Sequence, residues 1–205
     1  METTTTATVA QEAASFFVVL GCGAAKQGLA ADERVPAIDL YTGSLYTARR
    51  EYAESTFGKV DVIASAFHGA LEPQQEIGTY DSDLRKLDAK SRFAWAVKVA
   101  SYIASAAPKD ATIVLLCSGP YAEIRYQHAL AGRVFFDPCA RTPGMGLGEQ
   151  KKHLAQLTRD AKAARRSLTL DEERAWWAAN AATVAVCDEC IVSGAFMREL
   201  LTVAS

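Results

Sequence analysis

No apolar run in this 205-residue chain approaches the ~18 residues of a membrane-spanning helix, so a helical membrane span and a membrane partner are not expected. The first fifteen residues, METTTTATVAQEAAS, lack both the basic start and the apolar stretch of a secretory signal. Residues 1–15 read as a frayed, threonine-rich tail, and the expected location is the cytoplasm. The cysteines (Cys22, Cys117, Cys139, Cys187 and Cys190) are odd in number and come with no export signal, which argues against structural disulfides. Cys187 and Cys190 form a lone CxxC with no second pair at zinc-site spacing, so neither a metal nor another cofactor is expected. Neither charge sign dominates: a net charge of −2 leaves nucleic-acid binding to be decided by local basic faces. Internal repeats and low-complexity linkers are also missing, which favours a single domain over residues 16–205.

What is present is an ordinary globular composition, with 50% hydrophobic and 22% charged residues, enough for one α/β domain with a helical appendage. Residues 16–20 (FFVVL) are a short apolar run closed by Gly-Cys-Gly, the pattern of a buried strand and a turn. Residues 24–38 read as a loop. Residues 44–57 are helical, with Ser44 as a candidate cap and Leu45, Ala48, Tyr52 and Ala53 on one face. Residues 60–66 form a second strand and 67–81 a loop rich in Gly, Pro and Gln. A helix is expected from Ser82 or Asp83 to Ala106, with Phe93, Val97 and Ile103 facing inward. A third strand over 111–116 leads into the turn Cys117-Ser118-Gly119-Pro120, then a helix over 121–131 and a short strand over 133–136. Beyond a loop over 137–146, the chain reads as helical from about 147, with further helices from Asp171 and from Thr183. Alternating strands and helices predict an α/β three-layer sandwich with a mainly parallel central sheet and a helical C-terminal extension.

Three clusters of reactive side chains sit at predicted strand ends or helix starts: Gly21 to Lys26, Asp39 to Tyr46, and Ser65 to Gly69 running on to Tyr80 and Asp81. In open α/β sheets that edge, beyond the carboxyl ends of parallel strands, is where ligands bind. The expected site therefore combines a thiol (Cys22), a lysine (Lys26), two tyrosines (Tyr41 and Tyr80), a histidine (His68) and a carboxylate (Asp81 or Asp39). Gly21, Gly23 and Ser44 would bring backbone amides and a hydroxyl to a substrate. Each residue also has a plain structural use: Asp81 can cap a helix, Tyr41 and Tyr80 can pack in a core, and Cys22 can fill a small gap.

The motifs Cys-x-x-x-Lys (Cys22 to Lys26), DLYTGSLY (Asp39 to Tyr46), SAFHG (Ser65 to Gly69) and the closing Tyr80-Asp81 resemble a bacterial and phage family of uncharacterised domains. A later PGMGLG helix opening (Pro143 to Gly148) matches the same family, and the resemblance covers roughly residues 16–160. Phe67 stands where that pattern commonly has lysine, Thr79 where it has proline, and His153 where it has an aromatic residue. The family is distantly similar to the peroxide-stress protein YaaA and to uracil-DNA-glycosylase-like proteins, including an anti-phage DNA glycosylase of modified cytosine.

The resemblance implies a uracil-DNA-glycosylase-like fold and excision of a modified nucleobase from DNA, with His68, Asp81 and Asp39 as catalytic candidates. Base excision needs a carboxylate near an oxocarbenium-like sugar, a donor to the leaving base, and flat side chains around a flipped nucleotide. Tyr41 and Tyr80 would stack on the base, while Gly21, Cys22, Gly23, Ser44 and Lys26 would line its pocket. A basic stretch containing Arg141, Lys151, Lys152, Lys162 and Arg165, opened by Gly146 and Gly148, would grip the backbone of DNA as the partner. Two other functions fit the same residues: a non-catalytic DNA-binding stress or defence protein, and an N-glycosidase or transferase acting on a free nucleoside or nucleotide.

Overall fold

The computed structural model describes residues 15–138 and 146–167, with side chains given as far as residue 164. Its centre is a five-stranded sheet in the order β4-β3-β1-β6-β7. Strand β1 (Phe16–Gly21) is the middle strand and pairs in parallel with β3 (Val62–Ser65) on one side and β6 (Thr112–Leu116) on the other. Strand β7 (Phe135–Phe136) extends the parallel set, and β4 (Gly69–Leu71) closes the opposite edge antiparallel to β3. A separate two-residue pair joins β2 (Val35–Pro36) to β5 (Glu76–Ile77).

Side chains alternate across each strand, so β1 and β6 feed two cores at once. Val18, Leu20, Val114 and Leu116 point into one core, which α2 (Ser44–Phe57) and α4 (Leu147–Ser167) cover. Phe17, Val19, Ile113 and Leu115 point into the other, covered by α3 (Ala89–Ala106) and by 3-10 turns over Gly119–Tyr126 and His128–Leu130. The protein is thus an α/β sandwich with helical layers on both faces of a mainly parallel sheet. Leu20, Ile113, Leu115 and Leu116 are fully buried, and each such side chain contributes roughly 2 kcal/mol to folding.

Helix boundaries follow from local chemistry. Helix α3 opens at Asp88, whose carboxylate accepts the Ser91 N–H at 2.9 Å. Helix α2 ends at Gly58, whose φ of 74° lets the chain turn back so that its N–H reaches the Glu54 carbonyl at 3.1 Å. A short helix α1 (Ala37–Leu40) follows β2 directly, so that β2 and the start of α1 replace the end of the loop expected over 24–38.

Several expectations change. Ser44 is the first residue of α2 and not its cap, since Gly43 takes that position without a side-chain bond. The helix expected from residue 82 is split: Asp83 caps a 3-10 turn over Leu84–Lys86, and Asp88 then starts α3 afresh. Within α3 Phe93 and Val97 are exposed while Trp95, Ala96, Val99, Ala100 and Ile103 face the sheet, because the stripe spaced three and four residues apart runs through Ala96, Val99, Ala100 and Ile103. The segment over 121–131 is 3-10 and not α-helical, with Pro120 in its first turn. Strands β4 and β5 occupy part of the expected loop over 67–81. The tail over residues 1–14, Cys139, Cys187, Cys190 and the helices expected after residue 170 lie outside the described residues.

Candidate functional site

Because β1, β3 and β6 run parallel, their carboxyl ends arrive at one edge of the sheet. The chain leaves β1 through Gly21-Cys22-Gly23 and β6 through Cys117-Ser118-Gly119. A cleft of about 760 Å³ opens there. Gly21 allows the two strand ends to approach: a Cβ at that position would sit 3.3 Å from Cys117 Sγ. Gly119, with φ of 58°, makes the turn out of β6.

One wall is the turn after β1. Cys22, Gly23 and Lys26 line the cleft there, and the Cys22 N–H donates to the Ala64 carbonyl at 3.0 Å. The Cys22 thiol lies 3.2 Å from the Tyr121 hydroxyl, which also lines the cleft. Burial, with Cys22 beside it, pushes the Tyr121 phenol well above its ordinary range, so this hydroxyl keeps its proton at neutral pH.

Behind Lys26 lies a chain of hydroxyls. Tyr41 and Tyr80 hydroxyl oxygens are 2.8 Å apart, and Tyr80 is a further 2.8 Å from Ser65 Oγ at the end of β3. Ser65 Oγ also accepts the N–H groups of Phe67 and His68, while its carbonyl accepts from Trp95 Nε1 at 2.8 Å. Burial pushes Tyr41 up to about 12 and raises Tyr80 as well, so the hydroxyl chain is neutral. Lys26 Nζ sits 4.3 Å from the centre of the Tyr80 ring, and the Phe67 ring stacks on the same tyrosine at 5.3 Å.

These contacts sort the residues singled out in the sequence. Cys22, Gly23, Lys26, Ser44 and Asp81 meet at the cleft. Asp81 is exposed and has no ion-pair or hydrogen-bond partner among the described residues. Gly21 is buried just beneath, as a packing residue. Tyr41 is a core residue at 4% exposure, too deep to stack on a base, and Tyr80 is its half-buried neighbour.

His68 and Asp39 fall outside the cleft lining. The His68 ring stands edge-on to Tyr80 at 5.1 Å, and burial followed by the nearby Lys98 ammonium lowers its pKa, favouring the neutral ring. Asp39 is ion-paired to Arg50 at 2.7 Å, and its carbonyl accepts from Gln27. Its carboxylate is therefore already engaged.

The cleft also contains residues not singled out in the sequence: Arg49, Arg85, Lys86, Ser118, Tyr121 and Gln150. With Lys26 they give the cleft four basic side chains against the carboxylates of Asp81 and Asp83. Arg85 grips Asp83 at 2.7 Å, and the hydrogen bonds from its side chain and backbone hold the Asp83 carboxyl down at about 2. A sequence signal for Arg49 did exist, since it is an arginine in phase with Tyr52 and Ala53 on the inward stripe of α2.

Helix α4 borders the cleft through Leu147 and Gln150. Lys151, Lys152 and Lys162 are exposed, but Lys162 pairs with Glu51 of α2 at 2.7 Å. The Gly146 N–H donates to Glu149 Oε2 at 2.7 Å, so that amide is satisfied within the helix start. Gly148 is exposed in the first turn. Arg141 and the side chain of Arg165 lie outside the described residues. Among the described residues, no His, Cys, Asp and Glu side chains are grouped to hold a metal ion, and no helix is long and apolar enough to cross a membrane.

Residues 17–156, more than half of the chain, match the family described as Family of unknown function (DUF6884). The match spans the sheet apart from Phe16, the helical layers apart from the second half of α4, and the whole cleft. No curated protein and no solved structure matches the chain.

Proposed function

The chain belongs to this family of unknown function, which supplies no activity, and from the motif resemblance, taken together with the side chains of the cleft, we propose a nucleic-acid base-processing enzyme that excises a modified nucleobase from DNA. A uracil-DNA-glycosylase-like architecture is part of this reading. The observation that carries it is Asp81: an exposed carboxylate without a partner among the described residues, in a cleft otherwise rich in cations. Hydrolysis of an N-glycosidic bond builds positive charge on the sugar and negative charge on the departing base. Asp81 stabilises the sugar cation or orients the attacking water. The Tyr121 hydroxyl, protonated at neutral pH, donates to the leaving base, and Lys26 stabilises the charge that develops there.

Lys151 and Lys152 stand on α4 immediately beside Gln150 and supply the charge that holds the DNA backbone near the cleft. His68 supports the Tyr80 segment that leads to Asp81. The test is release of free base from duplex and single-stranded DNA carrying modified cytosines, followed by chromatography with mass detection. Base release that depends on Asp81 supports the reading; binding without release replaces it with a recognition function.

A further inference from the structure

The cleft wall holds a buried cation that has no counter-charge among the described residues. Arg49 is only 5% exposed, on the inward stripe of α2. Among the described residues no carboxylate lies within ion-pair distance of it. Its Nη2 donates to Ser118 Oγ at 2.7 Å, and its buried Nε has no acceptor among the described residues. Arginine does not shed its proton in proteins, and an ionised group kept from water without an opposite charge is costly. A purely structural arginine at this depth should have a carboxylate beside it. This one has the cleft.

Two independent features line the same cleft. Gly43, Ser44 and Leu45 at the start of α2 line the cleft, and the Gly43 cap has no side chain to satisfy the first-turn N–H groups. Such a helix start favours an anion. Gln150, also 5% exposed, lines the cleft with a buried Oε1 that has no donor. A ligand that completes both residues has an anionic, multiply accepting group for Arg49 and a hydrogen-bond donor for Gln150.

We propose that Arg49, Ser118 and the amino-terminal turn of α2 form a phosphate subsite in the cleft, with Gln150 Oε1 accepting from a donor group of the same ligand. A phosphate presents several acceptor oxygens in a tetrahedron, which suits a guanidinium, a hydroxyl and helix amides arriving from different elements. A carboxylate has only two. The phosphate belongs either to a free nucleotide or to a nucleic-acid strand. The subsite deepens the nucleotide-binding part of the proposed function and does not depend on bond cleavage.

Binding is measured by calorimetry and thermal unfolding of the full chain. The probes are deoxycytidine monophosphate, deoxycytidine, single-stranded octathymidylate, and acetate at matched ionic strength. The subsite predicts that at least one phosphate-bearing probe binds and stabilises the protein while deoxycytidine and acetate do not. Arg49→Met should weaken that binding by about 10- to 100-fold, as expected for hydrogen bonds to a charged group. Free Arg49→Met should unfold at no lower temperature than wild type, a result that a structural arginine would not give. Should that variant not fold, Arg49→Lys and Ser118→Ala carry the test, each with weakened phosphate binding.

Binding of the monophosphate assigns a terminal phosphate, and binding of the oligonucleotide alone assigns a strand phosphate. The subsite is overturned if neither binds, if deoxycytidine or acetate binds equally well, or if the substitutions leave affinity unchanged. Phosphate-dependent binding without base release would sink the glycosylase reading and keep the subsite. Base release by wild type and Arg49→Met alike, with no phosphate-dependent binding, would do the reverse.

Discussion

Ser65 Oγ lies 2.8 Å from the Tyr80 hydroxyl, and this contact ties the end of β3 to the segment that delivers Asp81 to the cleft. The same oxygen accepts two backbone N–H groups of the next turn, so one fully buried serine organises both the strand end and the approach to the site. Ser65→Ala strands those N–H donors and leaves the Tyr80 hydroxyl with Tyr41 alone. The expected loss is about 1–3 kcal/mol of stability, read as a lower urea midpoint with an unchanged slope. Tyr80→Phe keeps the ring contacts with Phe67 and Lys26 and should cost less.

Asp81 has a different profile, because nothing in the described protein leans on it. Asp81→Asn is expected to leave the unfolding temperature unchanged and to lower base release by at least about 100-fold, the range for loss of a positioned charged catalyst. Asp39→Asn should do the opposite. It breaks the ion pair with Arg50 on an exposed surface and leaves turnover near wild type.

The mainly parallel sheet, the inward placing of Tyr52 and Ala53 on α2 and the edge where the cleft opens were legible from helical spacing and from short apolar runs ending in small residues, as at Val19-Leu20-Gly21 and Leu115-Leu116-Cys117, whereas the strand order was not. Cys22, Lys26 and Asp81 were legible for the same reason, since they follow those runs or open the next helical pattern. The inward face of α3 was misread because Phe93 and Val97 are the bulkier apolar residues, while the buried stripe runs through Ala96, Val99, Ala100 and Ile103. The Asp83 and Asp88 caps, only five positions apart, split what reads as one helix. Tyr41 illustrates a second limit, because an aromatic residue in a motif reads alike whether it stacks on a ligand or fills a core. Only packing against Tyr46 and Tyr80 decides that it is buried.

His68 gives a pH prediction. Burial and then Lys98 lower its folded pKa below the unfolded value, so the unfolded chain binds more protons as pH falls. The contribution of His68 to stability is therefore full above about 6.5, the ordinary histidine value, and declines as pH drops from there toward the folded pKa. Lys98→Gln removes the cationic neighbour and should move the His68 titration upward, toward the ordinary value. Ring-proton NMR titration reads this directly; an unmoved midpoint would remove Lys98 as a cause.

The basic side of α4 gives a salt prediction. Lys151 and Lys152 are exposed on α4, directly after Gln150 of the cleft lining, while Lys162 is held by Glu51. If Lys151 and Lys152 each contact a phosphate, replacing both by Gln weakens duplex binding and makes the logarithmic salt slope shallower by about 2. Lys162→Gln should leave the slope as it is. A slope insensitive to the double substitution would place DNA elsewhere on the surface.

The central claim is that this cleft cleaves N-glycosidic bonds in DNA. The measurement that tests it most directly is alkali-dependent strand cleavage of phage DNAs with different modified bases, using wild type and Asp81→Asn side by side. The account predicts abasic sites in at least one DNA with wild type and at least about 100-fold fewer with Asp81→Asn. Intact DNA throughout the panel, or equal cleavage by both proteins, would contradict it.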